Sequence, residues 1–198
     1  MSNAVRLQII GETYHVNTKA VDGVFAFPDY HHREMFLRFL RTEIEKSGWE
    51  CLGYVIVGNH YHLVIRLTKP TLSSGMQRLN SRYARWYNQH HRRRGALWQR
   101  RFFDVVVESD EHFLEIQRYL AYNAPRANLA ERPEDWPYSN YGSLVGDKPP
   151  DRFVLEDEIL ALFSPDRDRA RRELRLFVEE RDPRERRRVS LQAVSRSG

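Results

Sequence analysis

Several features that mark common protein classes are scarce or missing in this sequence. Its single cysteine, Cys51, excludes an internal disulfide and a zinc site built from several cysteines. No apolar run approaches the roughly 18 residues of a transmembrane helix, and no charged-then-apolar leader opens the chain. We therefore expect a protein of the reducing cytoplasm that has no membrane partner.

The motifs of several large enzyme classes are missing too. The sequence has no Walker-type phosphate loop, no Gly-X-Gly-X-X-Gly and no nucleophile-elbow serine, so nucleotide hydrolysis, dinucleotide redox chemistry and acyl transfer have no support. Hydrophobic residues still make up 41% of the 198 residues, which is enough for a sizeable core. A wholly disordered chain is therefore excluded.

Lysine is scarce, and arginine replaces it. Only four of the 32 basic residues are lysines and the other 28 are arginines, in a chain of net charge +5. Arginine binds phosphate through two parallel hydrogen bonds and stacks on bases, which favours a nucleic-acid partner. A GC-rich genome that replaces lysine codons with arginine codons would give the same ratio, so the positions of the arginines matter more than their number.

Hydrophobic periodicity predicts the order strand, helix, hairpin, helix, strand, helix. The strands fall at 14–19, 51–57, 60–67 and 103–107, and the helices at 28–47, from Ser73 or Ser74 to 91, and at 110–122. Only Gly58-Asn59 separates the two middle strands, which indicates a tight hairpin. This order is typical of an α+β, ferredoxin-like fold, an antiparallel sheet with helices packed on one face.

The composition changes near Pro149-Pro150. We therefore divide the chain into a ferredoxin-like domain over 5–147 and a helical extension over 148–198. The extension contains apolar-periodic segments at 153–163 and 166–179. From residue 181 it becomes charged, rich in arginine and poor in core residues, which is typical of a disordered tail.

Two histidines form the first candidate site. Strand alternation puts His60 and His62 on one face of the predicted strand and Tyr61 on the other, so two imidazoles project side by side as metal ligands. Histidines hydrogen-bonded at a sheet edge are the structural alternative. The pairs His31-His32 and His90-His91 are interpreted as solvated helix residues or phosphate contacts.

A tyrosine and an asparagine form the second candidate site. Tyr119 and Asn123 are i, i+4 neighbours on one face of the last predicted helix, which we expect Pro125 to end. A phenol and an amide oxygen could therefore reach the same point. The alternative is that Tyr119 is a half-buried packing residue.

A basic stretch with interleaved aromatic residues forms the third candidate site. Arginines beside exposed aromatic rings offer phosphate neutralisation and base stacking, as single-stranded nucleic acid requires. Trp98 and Phe102 are the expected exposed rings, with Trp98 as a stacking platform. A solvated basic helix end is the alternative. The candidate arginines are Arg78, Arg82, Arg85, Arg92, Arg93, Arg94, Arg100 and Arg101.

Four motifs in order resemble one family. Residues 59–65 (Asn-His-Tyr-His-Leu-Val-Ile) resemble the histidine-hydrophobic-histidine motif of HUH nucleases. Residues 83–88 and 95–102 resemble the signature of the REP-associated, single-tyrosine transposases. Residues 119–127 resemble the tyrosine-helix motif of that family, and 135–146 its closing motif. The resemblance covers roughly residues 5 to 147 and implies the same ferredoxin-like core.

The resemblance also implies a chemistry. Tyr119 would be the nucleophile, while His60, His62 and Asn123 would hold a divalent metal, Mg²⁺ or Mn²⁺. The expected activity is cleavage and rejoining of single-stranded or hairpin DNA through a 5′-phosphotyrosine link, by a monomer or a homodimer. Two departures stand out, Gly58 where the family usually has proline and Ala124 between Asn123 and Pro125.

Two other function classes stay open at this point. A catalytically silent DNA- or RNA-binding regulator could keep the fold, although a binder needs none of the four site residues. A hydrolytic zinc enzyme could use the histidine pair, but it lacks an obvious carboxylate ligand and leaves Tyr119 unexplained.

Overall fold

The computed structural model describes residues 8–180. The strands are β1 (Thr13–Lys19), β2 (Trp49–Ile56), β3 (His60–Leu67) and β4 (Phe103–Val106). The helices are α1 (Tyr30–Ser47), α2 (Leu72–His90), α3 (Asp110–Arg126), α4 (Tyr141–Leu144), α5 (Glu156–Ala161) and α6 (Arg167–Glu179), with a 3₁₀ turn at Pro133–Asp135. Over this described range, no helix combines the length and the apolar character needed to cross a bilayer.

The four strands form one antiparallel sheet in the order β2-β3-β1-β4. This is the ferredoxin-like order, so the predicted fold class is confirmed. The predicted hairpin is also present, because the Val57 N–H donates to the His60 carbonyl at 3.0 Å and closes a turn over Gly58-Asn59.

The two helices α1 and α2 pack on one face of the sheet, here called the α1/α2 face. Tyr61 points to this face, where its ring meets Phe36, and Phe27 and Tyr83 complete the aromatic core. The Asp29 carboxylate caps α1 by accepting from the His32 N–H at 3.1 Å. Helix α2 begins at Leu72 after Thr71, so the predicted start at Ser73 or Ser74 is one or two residues late.

The opposite face of the sheet carries α3 and is here called the α3 face. The Gln117 side chain donates to the Leu52 carbonyl at 2.8 Å, which fixes this helix against β2. The prediction that Pro125 ends the helix is wrong, since α3 continues through it to Arg126. Proline fixes φ at a helical value, and in a last turn its missing N–H removes only one helical bond.

The helical part of the predicted extension packs on the core. The Leu155 N–H donates to the Cys51 carbonyl of β2 at 2.9 Å, and the Arg118 guanidinium of α3 donates to the Phe177 carbonyl of α6 at 2.7 Å. Helix α6 agrees closely with the predicted segment 166–179. The predicted disordered tail lies outside the described residues, and the division at residue 147 stays a prediction.

Candidate active site

The two histidines of β3 lie on the α3 face. Pairing with β1 sets Lys19 opposite His60 and Asn17 opposite His62. His62 is only 5% exposed, because α3 covers it. The rigid backbone of a central strand therefore holds both imidazoles under the helix.

Helix α3 brings a phenol and an amide to these histidines. The Tyr119 hydroxyl lies 3.4 Å from Nε2 of His62, and Oδ1 of Asn123 lies 3.1 Å from Nε2 of His60. Tyr119 is 38% exposed, whereas Asn123 is buried. All four side chains predicted for catalysis and metal binding thus lie together on the α3 face, and the phenol stays open to solvent.

The hydrogen bonds of His60 indicate a pair of atoms suited to a cation. Its Nδ1 lies 2.8 Å from Oδ1 of Asn59, and its Nε2 lies 3.1 Å from Oδ1 of Asn123, so the neutral ring can donate to only one of the two oxygens. In the tautomer that donates to Asn59, Nε2 and the Asn123 oxygen are two acceptor atoms that face each other. Their separation is close to the roughly 3.0 Å between ligand atoms at right angles about an ion with bonds of about 2.1 Å.

Both imidazoles are held in the neutral form that binds metals. Burial lowers the pKa of His62 to about 2, helped by the neighbouring His15 and His60. Burial also lowers the pKa of His60 below its usual range. Neither ring therefore has to lose a proton near neutral pH before it binds a metal.

Sequence reasoning missed a third histidine at this site. Nε2 of His15 on β1 is hydrogen-bonded to Nδ1 of His62 at 3.0 Å, and its ring stacks on the His62 ring. Burial lowers the pKa of His15 to about 4. Strand alternation puts His15 on the same face as Asn17 and Lys19, but only the register with β3 shows which residue it meets.

Of the three predicted arginines on α2, two contact other side chains and the third is exposed. The Arg78 guanidinium donates to the buried carboxylate of Glu43 at 2.7 Å, and that of Arg82 lies 4.2 Å from the Phe39 ring centroid. Arg85 is exposed. All three line a groove between α1 and α2, on the far side of the sheet from Tyr119.

The predicted arginines after α2 lie on a loop at the active-site end of the sheet. The Gln99 N–H donates to the carbonyl of Lys19, which is paired with His60, so Arg100 and Arg101 follow directly at that end. Both are exposed, as are Arg92 and Arg94. Arg93 is half-buried and donates to the Asn88 side chain at 3.1 Å.

The expectation that Trp98 and Phe102 are exposed is wrong. Phe102 is 6% exposed, and Trp98 is half-buried against the rings of Phe27, Tyr61 and Tyr83. The indole N–H of Trp98 also donates to the Asn80 carbonyl at 3.0 Å. These rings anchor the basic loop to the core, and loop packing of this kind is not visible in a local sequence pattern.

The structure also differs from the interpretation of the pairs His31-His32 and His90-His91 as solvated helix residues or phosphate contacts. His32 is only 2% exposed, so it is not a solvated helix residue. It lies against His91, whereas His31, His90 and His91 are exposed. Sequence pattern alone does not show this contact, because α1 and α2 meet only in the folded chain.

Comparison with known proteins identifies the class to which this fold and site belong. The family described as IS200-like transposases matches residues 20–123, which is more than half of the chain. The matched range includes His60, His62, Tyr119 and Asn123. The chain belongs to this transposase family.

Two similar proteins point to the REP-associated tyrosine transposases within that class. A Haemophilus influenzae strain Rd protein, named as a candidate REP-associated tyrosine transposase, is 25% identical over 108 residues, which are 49% of this chain and 61% of that protein. A solved REP-associated tyrosine transposase bound to a REP hairpin has a TM-score of 0.62 at 17% identity, covering 73% of this chain and 86% of that one. The predicted resemblance is thereby confirmed.

Proposed function

We propose that this protein cleaves and rejoins single-stranded DNA, with Tyr119 as the nucleophile and hairpin DNA as the substrate. The observation that carries the proposal is the meeting of the Tyr119 hydroxyl with His62 at 3.4 Å, beside the paired His60 and Asn123. A protein that only binds DNA needs no open phenol beside such a cluster.

His60, His62 and Asn123 fit a divalent cation, Mg²⁺ or Mn²⁺. Two neutral imidazoles and an amide oxygen form a mixed nitrogen and oxygen donor set. When bound, such a cation neutralises charge on the scissile phosphate. The described hydrogen-bond partners of His60 and His62 are Asn59, Asn123, His15 and Tyr119, with no carboxylate among them, which disfavours a hydrolytic zinc enzyme.

The chemical step exchanges one phosphate ester for another. The Tyr119 oxygen bonds to phosphorus, the bond from phosphorus to the 3′ oxygen breaks, and that oxygen gains a proton while the phenol loses one. The products are a 5′-phosphotyrosine link and a free 3′-hydroxyl. Because the link retains the ester, the reverse attack rejoins the strand without a nucleotide, in agreement with the missing phosphate loop.

The basic residues suggest a path for the DNA strand. Arg100 and Arg101 would bind phosphates close to Tyr119, because their loop runs beside β1 at the active-site end. Arg92, Arg93 and Arg94 precede them on the same loop, and Arg82 and Arg85 extend the positive surface along α2. Arg78 contributes least, since Glu43 neutralises it. The hairpin bound to the similar solved structure supports a folded DNA substrate.

A covalent-adduct experiment tests this function. The full chain is mixed with labelled single-stranded DNA carrying a hairpin from its own genomic flanks, with Mg²⁺ or Mn²⁺, and run on a denaturing gel. We expect a protein–DNA adduct that is lost with a chelator and in Tyr119→Phe. The matched control is Tyr122→Phe, three residues further along α3, and this variant should keep the adduct. A native complex without any adduct in either metal would overturn the proposal in favour of a silent DNA-binding protein.

A further inference from the structure

A second histidine cluster lies at the junction of α1 and α2, outside the candidate active site. Ring nitrogens of His32, His90 and His91 all lie within 4.8 Å of one another. His32 comes from the first turn of α1, while the other two come from the end of α2. The fold therefore gathers three imidazoles from helix ends that are far apart in the sequence.

The buried member of this cluster is oriented for a ligand. Nδ1 of His32 is hydrogen-bonded to the Asp29 carboxylate at 2.6 Å, and this acceptor requires the ring proton to be on Nδ1. The neutral ring then carries its lone pair on Nε2, which points at Nε2 of His91 only 2.7 Å away. A carboxylate behind a histidine in this manner is the usual outer-shell partner of a metal ligand.

The two exposed members are held by aromatic neighbours. The His90 ring stacks on Trp86 with centroids 5.3 Å apart, and the His91 ring lies 4.3 Å from that of Tyr87. The backbone turns sharply immediately afterwards, since Arg92 has a φ of 49° in the left-handed region. Solvent keeps access to one side of the cluster, because His90 and His91 are exposed.

We propose that His32, His90 and His91 form a Zn²⁺ site that clamps the end of α2 to the start of α1. Three neutral imidazoles suit Zn²⁺, and the solvent-facing side leaves its fourth position for water. The ligands come from helix ends that are 59 residues apart in the sequence, so bound zinc would hold these two ends together. Zinc bound there would also restrain the start of the arginine-rich loop, which begins at Arg92.

The site is independent of the proposed DNA chemistry. The sheet separates it from Tyr119, because α1 and α2 cover one face and α3 covers the other. Zinc binding can therefore be measured whether or not the protein cleaves DNA.

The experiment measures Zn²⁺ binding to the untagged full chain. His60 and His62 would also hold zinc, so a His60→Ala, His62→Ala background removes that site. We expect this background to bind one Zn²⁺ in competition with a chromophoric chelator. His91→Ala or His90→Ala on the same background should weaken binding by more than the 10- to 100-fold typical of outer-shell substitutions.

Matched control variants distinguish loss of a zinc ligand from misfolding of the protein. His31→Ala removes a neighbouring exposed histidine outside the cluster and should keep the bound Zn²⁺. Asp29→Asn keeps the helix cap but replaces the carboxylate behind His32 with a neutral amide, with an expected affinity loss of about 10- to 100-fold. The exposed positions of His90 and His91 make misfolding a poor explanation of their effect, whereas His32→Ala alone would be ambiguous.

Two further readouts test the geometry and the clamp. Co²⁺ in place of Zn²⁺ should give the visible absorption of a tetrahedral site, lost in His91→Ala. Zn²⁺ should also slow tryptic cleavage at Arg92, Arg93 and Arg94 in the background protein but not in its His91→Ala derivative. Equal zinc affinity in the background and in both the His90→Ala and His91→Ala derivatives, or no bound zinc in the background protein, would overturn the proposal.

Discussion

The two faces of the sheet use histidine in different ways. On the α3 face, His60 and His62 come from one strand and lie beside an open phenol and a buried amide. On the α1/α2 side, His32 and His91 come from helix ends and lie among aromatic rings and one carboxylate. A strand sets the spacing of its side chains by alternation, whereas the contact between His32 and His91 depends on the packing of α1 against α2. The first arrangement suits catalysis, and the second suits a metal site that holds two helix ends together.

The largest expected effect is loss of a histidine on the α3 face. His62→Ala removes a proposed metal ligand and the group beside the Tyr119 hydroxyl. Loss of several kcal/mol of charge stabilisation should slow cleavage on the order of 1,000-fold, measured as adduct formation in single turnover. His31→Ala on the other side of the sheet should leave the rate unchanged. Comparable rates of adduct formation in His62→Ala and wild type would show that the histidines of the α3 face have no special role in cleavage.

The sequence predicts those features of the fold and the site that depend on residues close together in the chain. Helix α1 ends at the predicted residue because Gly48, with a φ of 66°, follows it, and it begins two residues after the predicted start because Asp29 is its cap. The i, i+4 spacing of Tyr119 and Asn123 and the alternation of His60 and His62 likewise bring these four side chains together. The position of His15 beside His62 depends on strand register, and that of His32 beside His91 on helix packing, so neither is visible locally.

The next expected effect concerns His15, which acts through His62. His15→Ala leaves Nδ1 of His62 without its partner and lets the ring turn, so affinity for Mn²⁺ should fall about 10- to 100-fold. Calorimetric titration of the full chain with Mn²⁺ measures this directly. His15→Gln, which offers an amide oxygen in place of the ring nitrogen, should restore part of the affinity. An affinity unaffected by His15→Ala would make His15 a packing residue only.

A third prediction concerns acid stability of the metal-free protein. Burial holds the pKa of His15 at about 4 and of His62 at about 2, well below the usual value of about 6.5 in an unfolded chain. Below pH 6.5 the unfolded chain therefore binds protons that the folded chain does not. The free energy of unfolding should fall between about pH 6.5 and 4, by up to about 1.4 kcal/mol per pH unit for each histidine.

Urea unfolding at about pH 7 and about pH 5 measures that acid dependence. His15→Gln removes one of the two groups, so its free energy of unfolding should fall less steeply than that of the wild type. Equal decreases in both proteins would show that His15 does not contribute to acid stability.

The smallest expected effect separates two arginines of the same groove on α2. Arg85 is exposed, so Arg85→Ala should weaken hairpin binding several-fold and reduce the salt dependence of affinity by about one counterion. Arg78 is held by the buried Glu43, so Arg78→Ala should leave the salt dependence unchanged and cost about 1–3 kcal/mol of unfolding free energy through the unpaired carboxylate. Fluorescence anisotropy at several salt concentrations, with urea unfolding of the same variants, measures both. The opposite assignment, with Arg78 changing the salt dependence and Arg85 changing stability, would mean that the DNA displaces the ion pair of Arg78 with Glu43 and binds deep in the groove.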